Sequence, residues 1–149
     1  MATEEEVFSM QRVALILAAA VLSATAVAAG ETPSPTGAKA YFVDLKNGDI
    51  VTSPVAIKFG LSGMALAPAG EQKANTGHHH LIVDTAVEGA ALNAPIPADE
   101  RHVHFGKGQT ETTLTLPKGT HTLQLVLGDW THVPHNPPVM SERITVTVK

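Results

Sequence analysis

The chain has 149 residues, a net charge of −4 at neutral pH and no cysteine. That balance leaves no basic field to meet a nucleic-acid backbone. Without thiols there is no disulfide framework, and any metal site must use histidine, methionine, carboxylate or backbone ligands.

Residues 13–29 read VALILAAAVLSATAVAA and follow Arg12, and Ala26-Val27-Ala28 is a small-x-small pattern of the kind signal peptidase cuts. This predicts a signal peptide over residues 1–28 and a periplasmic or secreted mature chain. Glu4, Glu5 and Glu6 are acidic where such a leader is normally basic, and Met10 before Gln11 and Arg12 makes the more ordinary start. The apolar run is short and alanine-rich for a span of ~20 residues, so no stable membrane span is expected after cleavage. Residues 29–39 are polar and proline-rich, the composition of a flexible leader.

From residue 40 to 149 strand signals dominate. Tyr41, Val43 and Leu45 alternate with Phe42, Asp44 and Lys46 before a turn at Asn47-Gly48-Asp49. Val55, Ile57, Phe59 and Leu61 alternate again. A loop over residues 63–77 leads into a short apolar strand over 79–84, and residues 86–100 form a second loop. RHVHF, residues 101–105, reads as a short strand. Residues 111–116 and 122–127 are two more, joined by a Pro117-Lys118-Gly119 turn. A proline-rich loop, GDWTHVPHNPP, precedes a last strand in which Ile144, Val146 and Val148 share one face. About seven strands with turns between them predict an all-β domain, a single immunoglobulin-like Greek-key sandwich.

In that topology seven of the eight histidines gather at one end, and His121 lies at the other. His102 and His104 are two apart on a strand and share a face, as do His78 and His80. His132 and His135 flank Val133-Pro134, and proline stiffens their loop. Imidazole suits zinc, copper, iron and nickel. The expected metal ligands are therefore drawn from His78, His80, His102, His104, His132 and His135. One tetrahedral ion takes four at most, so there are two sites or some of these stand behind the ligands. His79 faces the other way and is expected to donate a hydrogen bond into the loop. Met64 and Met140 could add thioether contacts that favour Cu(I). Asp84, Asp99 and Asp129 could accept from an imidazole and orient it. His121 reads as structural, and Trp130 as an apolar plug over the loops.

The segments YFVDLKNGDIVTSPVAIKFGLSGM, NTGHHHLIVD and IPADERHVHFGKGQTETTLTLPKGTHTLQLVLGDWTHVPHNPPVMSERITV resemble an exported bacterial family known as domain of unknown function 4399. The likeness runs from about Tyr41 to Val148. Its motifs are GHHHL, H-x-H-F-G-x-G-Q-T and H-x-P-H-x-P-P. It implies an exported protein whose characteristic residues include His78, His79, His80, His102, His104, His132 and His135, and it transfers no catalytic residue. The architecture also has a loose likeness to small periplasmic copper-binding sandwiches, a likeness of fold alone.

The function expected from the sequence is transition-metal binding, with copper or zinc as the ion, for sequestration, delivery or sensing. The contrasting expectation is a pH-responsive or partner-binding module of the cell envelope, in which clustered histidines protonate near pH 6 and rearrange the loops. Metal-activated water chemistry would need a placed acid or base, and none stands out. GKGQT lacks the spacing and the following helix of a phosphate loop.

Overall fold

The computed structural model describes residues 32–149. The signal peptide expected over residues 1–28 lies outside the described residues. Nine strands follow in order: β1 Lys39–Phe42, β2 Ile50–Val51, β3 Val55–Ser62, β4 Ala65–Leu66, β5 Thr76–Val83, β6 His102–His104, β7 Glu111–Leu114, β8 Gly119–Gly128 and β9 Ile144–Val148. A short 3-10 turn, Gly89–Asn93, interrupts the loop after β5. The strands form two sheets. One has the order β1-β3-β7, and the other has β2-β9-β8-β5-β4 with β6 also paired to β5. This is the expected all-β sandwich. Two short parallel pairs, β2–β9 and β4–β5, are present beside the antiparallel ones.

The core between the sheets follows from period-2 alternation. Val55, Ile57 and Phe59 face inward from β3. Leu81 and Val83 of β5, Leu123 and Leu125 of β8, and Ile144, Val146 and Val148 of β9 meet them from the other sheet. Full burial of each such side chain contributes roughly 1.5–3 kcal/mol. In β1 the facing is the reverse of that expected. Ala40 is buried and Phe42 packs on the core, whereas Tyr41 and Val43 are 43% and 52% exposed. The reason is Gly60, paired with Tyr41 across the sheet, which leaves bare backbone for the Tyr41 ring to lie over.

The second sheet is covered on both faces. On its outer face Ile82 and Val126 pack with Val87 and Ile96 from the loop after β5, and Leu92 and Met140 close over them. All eight residues of β5 are consequently buried. A strand buried on both faces has no polar side to show. That is why GHHHLIV does not alternate, and why the histidines lie within the strand instead of at its mouth.

The described part of the leader is tied to the loop after β8. Asn136 N donates to Thr32 O at 2.9 Å and Ser34 N to Asn136 O at 3.2 Å. Thr32 Oγ1 donates to Asp129 at 2.6 Å, and Ser34 Oγ to Pro137 O at 2.6 Å.

Candidate metal centre

Strand alternation turns His78 and His80 to the outer face, beside Ile82, and His79 to the core. Register then chooses their neighbours. His80 stands opposite His104 of β6 on one side and Val126 of β8 on the other. His78 stands opposite Gly128, where β8 ends. The chain turns back there and brings His132 over the pair.

Four imidazoles meet at this point. The ring centroids of His78 lie 4.7 Å from His80, 5.0 Å from His104 and 5.0 Å from His132. His80 is 5.2 Å from His104 and 5.9 Å from His132, and the last two are 4.8 Å apart. Four imidazoles holding one tetrahedral ion, with nitrogens at ~2.0–2.1 Å, would place their centroids about 5 Å apart. The nitrogens of His78, His104 and His132 already offer three ligand atoms within 4.8 Å of one another.

Two glycines make room for the rings. A Cβ at Gly106 would collide with the His104 ring. A Cβ at Gly128 would lie 2.6 Å from Cε1 of His80 and 3.0 Å from its Nδ1. His132 is held at φ 71, in the left-handed region that side chains other than glycine rarely adopt. Asp129 imposes that conformation. Its carboxylate accepts from Thr131 N at 2.8 Å, Thr131 Oγ1 at 2.7 Å and Val133 N at 3.0 Å, in addition to Thr32 Oγ1. Asp129 was expected to orient an imidazole directly. It acts on the backbone around His132 instead.

Burial and mutual repulsion bias His78, His80 and His104 toward the neutral form. Burial, and then repulsion from His104 and His132, lowers His78 from 6.5 to about 4, with the charge of Asp129 opposing the shift. Burial, and then His78, His104 and His132, lowers His80 to about 3. His104 is lowered by burial and by His132. Neutral imidazole is the form that ligates metal. Both ring nitrogens of His78 and of His80, and Nε2 of His104, are buried with no hydrogen-bond partner among the described residues. Leaving such a group unbonded costs about 1–3 kcal/mol.

The other expected residues are placed nearby or elsewhere. His102 shares its face with His104 but stands opposite Ile82, one step along, and its Nδ1 is 2.8 Å from Asp99. Asp99 thus orients an imidazole as expected, at His102. His135 is buried with Nε2 donating to Thr76 O at 3.1 Å, which ties its loop to the start of β5. Met140 packs on the Ile82 and Val126 cluster. Met64 is partly buried in the turn between β3 and β4. His121 lies five residues back along β8 from Val126, about 17 Å at strand rise. There Nδ1 meets Asp84 at 2.7 Å and Nε2 donates to Pro117 O at 2.9 Å, and the Asp84 hydrogen bond raises its pKa.

His79 faces the core as expected, but it donates no hydrogen bond into the loop. Its ring packs 5.3 Å from Phe59, and both nitrogens lack a partner among the described residues. Replacing it by leucine, of similar volume, removes a buried polar group and keeps the packing. His79→Leu is expected to raise stability by about 1–3 kcal/mol in urea unfolding and to leave metal affinity unchanged. A fall in metal affinity would put this ring in the site, and a fall in stability would overturn the reading of an unpaired polar group.

Sequence reasoning missed Gly106, Gly128 and Thr32. The first two stand in plain view in HVHFG and LVLGD, but only the fold shows which rings they admit. No curated protein matches the chain, and no solved structure does. Residues 57–149 match the model of the family described as domain of unknown function (DUF4399), and by that match over more than half its length the chain belongs to this family.

Proposed function

We propose that the protein binds a transition-metal ion, zinc or copper, through its buried histidine cluster, and serves to sequester, deliver or sense that ion in the cell envelope. The observation that carries this reading is the meeting of His78, His104 and His132 with their nitrogens within 4.8 Å, beside a fourth ring, His80, where both nitrogens of His78 and His80 and Nε2 of His104 are buried with no hydrogen-bond partner among the described residues. Export rests on the leader-like residues 1–28 alone. Among the described residues no helix is long and apolar enough to cross a membrane.

The pH-sensing alternative fits less well. His78 and His80, lowered to about 4 and about 3, stay neutral through the range near pH 6 where such a sensor works.

The test is metal content and affinity of the full chain, made without a histidine tag. Bound metals are read by mass spectrometry, and Zn(II), Cu(I) and Cu(II) are titrated against competing chelators. The expected result is one ion per chain bound more tightly than micromolar. His104→Ala and His132→Ala should each weaken it roughly 100-fold or more, beyond what loss of a supporting contact costs. Weak binding that the two variants leave unchanged would overturn the reading.

A further inference from the structure

We propose that the centre is closed: His78, His80, His104 and His132 occupy all four corners of a tetrahedral ion, so that the ion is held and has no open position for water or substrate. This rests on the metal reading above and goes beyond it. Three imidazoles with a free fourth corner make a catalytic zinc site, whereas four protein ligands make a structural or storage site. The role of His80 decides between them.

Three observations give the fourth corner to His80. Its centroid lies 4.7–5.9 Å from each of the other three rings, near the spacing of four imidazoles around one ion, although its nitrogens stand outside the 4.8 Å group of His78, His104 and His132, so the ring must turn to ligate. Its ring is wholly buried and neither nitrogen has a hydrogen-bond partner among the described residues. Gly128 also leaves the space that this ring needs. The roof points the same way. Ile96 N donates to His132 O at 2.9 Å, and Ile96 belongs to the apolar layer that covers the adjoining Ile82 and Val126.

The donor set and its charge narrow the class of ion. Four neutral nitrogens in a tetrahedron suit Zn(II), and Co(II) as its spectroscopic substitute, better than Cu(II), which favours tetragonal geometry. Asp129 is 2% exposed, and no lysine, arginine or histidine side chain forms an ion pair with it among the described residues. Its four hydrogen-bond donors, Thr32 Oγ1, Thr131 N, Thr131 Oγ1 and Val133 N, are all neutral. A cation bound in the cluster beside it would add to the stabilisation of this buried charge.

The experiment uses the full chain loaded with Co(II) and reads its visible spectrum with and without excess azide, an anion that fills open metal positions. The expected spectrum is the intense one of a four-coordinate tetrahedral ion, and azide leaves it unchanged. In His80→Ala the ion binds more weakly by roughly 100-fold or more, beyond what loss of a supporting contact costs, and its spectrum now responds to azide. A response to azide in the unmodified chain overturns the closed centre while leaving the metal reading intact, and that measurement needs no variant to fold. A His80→Ala protein with unchanged affinity and spectrum overturns it too. If neither Co(II) nor Zn(II) binds the unmodified chain, the metal reading itself falls, and the closed centre with it.

Discussion

Freed of metal, the protein is expected to lose a large part of its stability as the pH drops from 6.5 toward 4, and zinc is expected to move that loss to lower pH. The cause is the buried imidazoles of β5. In the unfolded chain each has the ordinary histidine pKa of 6.5, and in the fold burial lowers His78 and His79 to about 4 and His80 to about 3. Between those limits the unfolded chain binds more protons than the folded one, so stability falls as the pH falls. The contribution is complete above 6.5 and is lost progressively down to the folded values. For His79, where burial alone acts, the shift corresponds to something on the order of 3 kcal/mol. A domain has ~5–15 kcal/mol in all, so the loss at His79, with further losses at His78 and His80, removes a large part of it.

Other titrating groups do not mimic this. His121 has a raised pKa, so its contribution is present below 6.5 and is lost as the pH rises through its folded value, the opposite sign. Asp84 and Asp129 are lowered from 3.8, so their contributions are lost only in stronger acid. Fluorescence of the single tryptophan, Trp130, in the loop that carries His132, can follow urea unfolding at pH 7.5 and pH 5 with and without zinc. At a free zinc concentration 100 times Kd, binding adds about 2.7 kcal/mol. An unfolding midpoint that does not move between the two pH values in the metal-free protein would contradict this account.

The same strand shows what a sequence can and cannot disclose about such a site. The alternation of Val55-Ile57-Phe59 and of Ile144-Val146-Val148 is local, and both segments are strands with those residues inward. The common facing of His78 and His80, with His79 opposed, follows from strand geometry in the same way. Register does not. His102 and His104 have identical local credentials, but only His104 stands opposite His80, because that pairing is set between strands far apart in the chain. The apolar layer over the second sheet is equally non-local. Val87 and Ile96 sit in a stretch with the composition of a plain loop, and nothing near them shows that they cover Ile82 and Val126. Tyr41 misleads for a related reason, since its outward facing depends on Gly60 across the sheet.

Gly128→Ala is expected to damage the centre although it touches no ligand identity. The added methyl would lie 2.6 Å from Cε1 and 3.0 Å from Nδ1 of His80, and 3.3 Å from the carbonyl carbon of His132. The His80 ring has little room to retreat, with His78 at 4.7 Å and His104 at 5.2 Å around it. Overpacking of this kind costs about 1–3 kcal/mol. On the proposed metal reading, moving the His80 ring and the His132 backbone should lower metal affinity at least as much as losing a supporting contact does, roughly 10–100-fold. Gly106→Ala presses on His104 and should act in the same direction. Gly60→Ala supplies the control. Its methyl meets the Tyr41 ring on the other sheet, and Tyr41 is half exposed and can swing into solvent. That variant should bind metal like the unmodified chain. Chelator competition on the three proteins, beside their urea unfolding, separates damage to the centre from damage to the fold. If Gly128→Ala binds zinc as tightly as the unmodified chain, His80 and His132 do not meet on one ion.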